Sequence, residues 1–265
     1  SAGPDHRVRG TLQFYGASRT GRWAGRLLQV QNLPRTYLDH QAEWRDIVKL
    51  HDPEALALLT DNVSDTLSQL IRTALVPAKG YTFVDADFSA IEARLIAWLA
   101  GEEWVLDVFR TTGKIYEATA ARIFGVPFDS IAKGNPNYKY RQRGKVATLA
   151  LGYQGGVGAM KRMGGDQLGL DDEGLQDIVN RWRRQNPRIC KLWRRMQDAA
   201  VHTIRTGKTT QPRAGVIFRK ELAPDFPFPF LTLQLPSGRK LFYADPGTTP
   251  DDRITYKEWD TGSWR

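Results

Sequence analysis

Residues 81–94 read Tyr-Thr-Phe-Val-Asp-Ala-Asp-Phe-Ser-Ala-Ile-Glu-Ala-Arg, and the organisation of the chain turns on them. The aromatic and β-branched run predicts a short strand over 81–87, followed at once by a helix over 89–100. Alternate residues of a strand share a face, which would set Tyr81, Phe83, Asp85 and Asp87 side by side. Two carboxylates on one face repel unless a cation or a proton intervenes. Mg²⁺, which takes one or two carboxylates together with phosphate oxygens, would resolve that conflict. Solvated acids at a strand end account for the same spacing. Ser89 and Glu92, before the apolar stripe of Ile91, Leu95, Trp98 and Leu99, also form a capping box, so Glu92 has an ordinary helix-start role available to it.

A second chemistry-bearing segment lies about fifty residues further on. Arg141, Lys145, Leu149 and Tyr153 are spaced four apart inside a predicted helix over 137–153. Each such step climbs about 6 Å and turns about 40° beyond a full revolution, so the four form one slowly winding stripe. Lys139 and Arg143 add charge at the same end, where the helix dipole is already positive. Crowded cations at a helix start repel, and a polyphosphate there would relieve them. A solvated basic face is the alternative, although the aromatic Tyr153 and the following Gln154-Gly155-Gly156 are unusual for one.

Working outward, Thr11–Tyr15 alternates like a strand, and 39–75 reads as helical from the spacing of Leu56, Leu58, Leu59, Leu67, Leu70 and Ile71. His51-Asp52-Pro53-Glu54 reads as a helix start. Further helices are expected near 103–110, 114–124 and 171–206, the last broken at Pro187. Beyond Thr209 the composition turns to Pro, Phe, Val and Ile, with a hairpin over Leu231–Leu235, Pro236-Ser237-Gly238 and Lys240–Tyr243. The order predicts a sheet-based body from which a helical subdomain emerges. Two Gly-containing segments are discounted. Thr206-Gly207-Lys208-Thr209 has His202 where a phosphate-binding loop needs its first Gly, and the cluster over 155–165 reads as a flexible connector.

Composition bounds the function. The 265 residues carry 38 Lys and Arg against 29 Asp and Glu, a formal charge of +9, which favours a polyanionic partner. The single cysteine, Cys190, excludes an internal disulfide framework, argues against a Cys-rich zinc site and reads as a small core residue. Apolar runs such as Leu95–Ala100 are too short to span a bilayer and no secretory leader is visible. The expectation is a soluble, basic, intracellular protein, cytoplasmic and with no membrane partner.

With these segments in place, the chain resembles the family A DNA polymerases, the DNA polymerase I type, and most of all their phage and prophage members. Thr20-Gly21-Arg22 and Gln31-Asn32-Leu33-Pro34 resemble the segment contacting the primer–template minor groove, and Ile71-Arg72 with Leu75-Val76-Pro77 the lead-in to the first catalytic strand. Ala86-Asp87-Phe88-Ser89-Ala90-Ile91-Glu92-Ala93-Arg94 resembles motif A, and Arg141, Lys145 and Tyr153 resemble motif B of the fingers helix. The resemblance implies an α+β fold: a partial palm, with a small antiparallel sheet and helices, over 1–100; helical fingers over 101–209; and a β-rich segment with the hairpin, returning to the palm, over 210–265.

It also implies roles. Asp87, with the Phe88 carbonyl, would hold catalytic Mg²⁺; Asp85 lies outside the motif and its role is open. Glu92 would exclude a ribose 2′-hydroxyl, Arg141 and Lys145 would bind the triphosphate, with Lys145 the acid assisting the pyrophosphate leaving group, and Tyr153 would pack beside the nascent base pair. Arg22, Gln31, Asn32 and Arg72 would contact DNA. The implied reaction is template-directed nucleotidyl transfer from dNTPs to a primer 3′-hydroxyl, with two metals at the reacting oxygens.

Three departures qualify that reading. Leu149 stands where the family carries Phe or Tyr, and Tyr116 where a phosphate-contacting His is usual. Motif C, the His-Asp-Glu turn bearing the second metal-binding aspartate, is not found through Arg265. Neither 51–54 nor the acids Asp251, Asp252, Glu258 and Asp260 replace it. The expectation is therefore a palm-and-fingers portion with an incomplete two-metal site, inactive alone, either a truncated piece or one half of a split enzyme whose second polypeptide supplies motif C. A non-catalytic module binding primer–template or nucleotide is the alternative. A single-subunit RNA polymerase is a third, disfavoured by Glu92, since a 2′-hydroxyl needs room there.

Overall fold

The computed structural model describes residues 3–17, 20–260 and 263–264, and the chain divides into two units, Ser1–Asp87 and Phe88–Arg265. The first opens with strands β1 (Leu12–Ala17) and β2 (Arg22–Gly25), an antiparallel pair with Gln13 opposite Ala24 and an irregularity before Ala17 meets Arg22. Phe14 packs edge-on against Trp23 at 5.2 Å, and both stay exposed.

Three helices follow. They are α1 (Gln41–Lys49), α2 (Pro53–Leu59) and α3 (Val63–Leu70). The expected start at 51–54 is realised: Pro53 is the first helical residue and the Asp52 carboxylate accepts from the Glu54 and Ala55 amides, both at 3.0 Å. Asn62 caps α3 in the same way through the Asp65 amide at 2.9 Å. Leu56, Thr66 and Leu70 are the buried side chains of these helices.

The strand expected over 81–87 is not formed. These residues are irregular and exposed, Val84 to 89%, and no described strand pairs with them. Aromatic and β-branched residues favour an extended backbone, but a strand is defined by a neighbour that takes its hydrogen bonds, and alternation cannot supply one.

The second unit begins with α4 (Ile91–Ala100), α5 (Glu103–Thr111) and α6 (Ile115–Phe124). Next come α7 (Lys139–Leu151), α8 (Val157–Arg162), α9 (Asp172–Gln185) and α10 (Pro187–Thr206). The first helix starts later than its capping box implied. Ala90, left-handed at φ 49°, is the N-cap of α4 in place of Ser89, and the Ser89 carbonyl accepts instead from Arg94 Nε at 2.9 Å.

Helix α7 runs through the core. Its Val146, Ala147, Ala150 and Leu151 pack with Ile123, Met160, Leu175, Ile178, Val179, Trp182 and Ile189. The break at Pro187 is as expected, and it is held from outside the two helices it separates. The buried Glu102 carboxylate accepts from the Arg188 amide at 2.9 Å and the Ile189 amide at 3.3 Å, satisfying donors that a helix start leaves without partners. The segment 155–165 is not a flexible connector. It contains α8, whose Met160 is fully buried, and a Cβ on Gly155 would lie 2.2 Å from the Ala150 carbonyl oxygen.

Gly207, at φ 71°, closes α10, which disposes of the phosphate-loop look-alike: a helix end and a strand stand where such a loop needs a strand and a helix start. The chain then makes an antiparallel sheet in sequential order from β3 (Thr210–Arg213), β4 (Val216–Leu222), β5 (Pro229–Gln234), β6 (Lys240–Thr248) and β7 (Ile254–Lys257). The expected hairpin is present, with Leu231 opposite Tyr243 and Leu233 opposite Leu241. Ala200 and Ile204 of α10 cover Val216, Phe218, Leu231 and Leu233 of this sheet. A short pair, β8 (Trp259–Asp260) and β9 (Ser263–Trp264), ends the described chain. The architecture is α+β, with antiparallel sheets and a helical body.

Candidate nucleotide-binding site

The site is built on the crossing of α6 and α7. At Gly144 a Cβ would lie 2.2 Å from the Tyr116 carbonyl oxygen and 2.9 Å from Ala120 Cβ, so only glycine lets the two helices approach this closely. Thr148 Oγ1 donates to Thr119 Oγ1 at 3.2 Å one turn on, tying the same crossing. The close approach carries Tyr116 and Glu117 of α6 up against the first turn of α7. Arg141 Nε donates to Glu117 Oε1 at 2.7 Å, and the Arg141 guanidinium carbon lies 5.7 Å from the Tyr116 ring centroid.

This pair changes how the cationic helix start is accommodated. An anion was expected there, and part of the charge is met from within. Glu117, only 14% exposed, holds the Arg141 guanidinium protonated even beyond its ordinary range, chiefly through the hydrogen bond. Arg143 donates to the Leu168 carbonyl at 3.3 Å and lies over the Phe124 and Tyr140 rings. Lys145, half-buried on the same stripe, has no hydrogen-bond or ion-pair partner among the described residues. The terminal nitrogens of Arg141 likewise have none.

One turn beyond Lys145 the stripe reaches a cavity of about 40 Å³. Glu92 of α4 lines it together with Thr148 and Leu149 of α7, Tyr153 just past its end, and Asn186 and Trp182. Glu92, Leu149 and Tyr153, separated by up to 61 positions, thus meet around one space. Tyr153 stays 64% exposed at its mouth. Sequence reading missed Glu117, the carboxylate that organises the cationic end. Two signals pointed to it: it is the one acid in α6, and it precedes the small residues Ala118, Thr119, Ala120 and Ala121, which permit a tight crossing.

In the first unit the residues read as DNA contacts are at the surface. Arg22, Gln31 and Asn32 are exposed, with Gln31 and Asn32 in a short 3₁₀ turn. Arg72 uses Nε and Nη2 to hold the Leu33 and Pro34 carbonyls at 2.6–3.1 Å, which anchors the segment carrying Gln31 and Asn32. Asp85 and Asp87 are exposed on the irregular 81–87 segment. No group of three or more His, Cys, Asp or Glu side chains able to hold a metal ion exists among the described residues. Asp87 and the Phe88 carbonyl alone do not make a two-metal site. Of the C-terminal acids, Asp251 pairs with Arg253 at 2.7 Å and Asp252 with Arg205, while the Asp260 side chain lies outside the described residues.

The family model for DNA polymerase family A matches residues 2–217, and the chain belongs to that family. It is 50% identical, over 98% of its length, to the DNA polymerase of Bacillus phage SP02, of which it spans 40%. It is 30% identical over 132 residues to DNA polymerase I of Pseudomonas aeruginosa and 29% identical over 131 residues to the thermostable DNA polymerase I of Thermus aquaticus. Each of those alignments covers 49% of the chain and 13% or 14% of the relative. Family A polymerases use Mg²⁺, and their substrates are DNA and deoxynucleoside triphosphates. No described helix is long and apolar enough to cross a membrane.

Proposed function

We propose that this chain is a palm-and-fingers portion of a family A DNA polymerase that binds a deoxynucleoside triphosphate and primer–template for transfer to a primer 3′-hydroxyl. In this reading residues 1–100 contribute to the palm, 101–209 are the fingers, and 210–265 return to the palm. The observation that carries it is the α7 stripe: Lys145 and the two terminal nitrogens of Arg141, without partners among the described residues, at the cationic end, and Leu149 and Tyr153 leading to a cavity shared with Glu92. A triphosphate lying along the first turns would meet two cations there, with charge-assisted hydrogen bonds from planar guanidinium and ammonium. Its sugar and base would lie toward the cavity, where the Glu92 carboxylate would crowd a 2′-hydroxyl and Leu149 and Tyr153 would offer apolar contact. Lys145 would stabilise charge developing on the leaving pyrophosphate. Asp87 would bind metal alongside a second carboxylate.

The lack of an acidic cluster among the described residues favours a second reading for the chain by itself, binding without turnover. Primer extension with the purified chain, Mg²⁺ and four dNTPs distinguishes the two. Incorporation abolished by Asp87→Ala, and lowered by orders of magnitude by Lys145→Ala, establishes the enzyme. Salt-sensitive primer–template binding without extension establishes the binding module. A chain that does neither overturns both.

A further inference from the structure

Arg141 is held by a residue that the polymerase reading does not use. Its guanidinium has two edges that can engage an anion bidentately, one formed by Nε with a terminal nitrogen and one by the two terminal nitrogens. Glu117 Oε1 takes Nε at 2.7 Å, and the guanidinium carbon lies over the Tyr116 ring, 5.7 Å from its centroid. What remains open is the end edge. Arg141 is 34% exposed and Glu117 14% exposed, so the carboxylate is the more buried member of the pair. Both supporting residues are on α6, whose approach is fixed by Gly144.

We propose that Glu117 is a positioning residue for nucleotide binding: by occupying Nε it locks Arg141 so that the two terminal nitrogens face the incoming triphosphate. This rests on the reading of Arg141 as a triphosphate contact. An arginine side chain loses much rotamer freedom when it engages a ligand, and a partner that fixes it beforehand removes part of that cost. Glu117 also lowers the net charge that Arg141 presents, so the opposite outcome is physically available: a carboxylate competing with phosphate for the same cation. The two make opposite predictions for Glu117 variants.

The test is calorimetric titration of the 265-residue chain with dATP in Mg²⁺. Glu117→Ala is expected to weaken binding by roughly tenfold, the scale of a charge-assisted hydrogen bond acting through preorganisation. Glu117→Gln, which retains an acceptor for Nε, is expected to recover most of that loss. Arg141→Ala also weakens binding, and adding Glu117→Ala to it produces no further change, because Glu117 acts through Arg141. A merely structural role would add its loss in both backgrounds. If Glu117→Ala unfolds, Glu117→Asp replaces it in the same cycle, since the shortened carboxylate withdraws from Nε. Unchanged or tighter binding by the Glu117 variants, with Arg141→Ala still weakened, overturns the inference and leaves the triphosphate reading standing. A chain that binds no dATP, or that binds it equally well as Arg141→Ala, overturns both.

Discussion

Residues of one chemical type meet different fates here, and the difference lies in their neighbours. Arg141 and Lys145 are one helical turn apart, yet the arginine has an internal carboxylate and the lysine has no partner among the described residues. The sequence marks both as cations on one stripe. It does not say which of 29 acidic side chains will face either, because Glu117 and Arg141 are 24 positions apart. Cys190 shows the same dependence. Read as a core residue, it is only half-buried, and its thiol donates weakly to the Arg183 carbonyl at 3.7 Å. Burial nevertheless pushes its pKa up, outweighing the nearby Arg183 and Arg194 that act the other way. Since the thiolate is the nucleophile, Cys190 should alkylate with iodoacetamide at pH 8 several-fold more slowly in the folded chain than in urea. Equal rates would show an exposed, ordinary thiol.

At the scale of elements, local signals served at two helix starts where the stabilising group is local, and misled at Ser89, where Ala90 is the N-cap. Asp52-Pro53 starts a helix because cap and first turn are adjacent in sequence, and Pro187 starts one because its ring tolerates the first helical position. The strand over 81–87 failed because its missing ingredient, a pairing neighbour, is not local. The α6–α7 crossing is the element-level feature on which the site depends, and Gly144→Ala tests it. In an exposed helix that substitution would stabilise by about 1 kcal/mol through propensity. Here the added methyl meets the Tyr116 carbonyl oxygen at 2.2 Å, and overpacking of this kind costs about 1–3 kcal/mol or more. The melting temperature is expected to fall by several degrees, at roughly 2–4 °C per kcal/mol for a chain of this size. A rise would show that the helices separate easily and that the glycine does not set their distance.

For the whole molecule, the +9 charge survives extensive internal pairing: Arg141, Arg205, Lys240 and Arg253 all have carboxylate partners. The proposed primer–template binding should therefore weaken steeply with salt, with a slope of about 0.9 in log–log form for every phosphate contacted. Fluorescence anisotropy with a labelled primer–template between 50 and 200 mM salt measures it, and a flat response would remove DNA from the proposal. By itself the sequence determined the helix order apart from α8, the C-terminal hairpin, the basic balance and the motifs of the polymerase family, because these depend on spacing, side-chain type and near neighbours. Only the tertiary structure decided that Gly144 brings Glu117 to Arg141, that Glu102 caps a helix 86 positions away, and that Glu92, Leu149 and Tyr153 share one cavity. Those contacts join distant positions, and helical or strand periodicity carries no information about which face meets which.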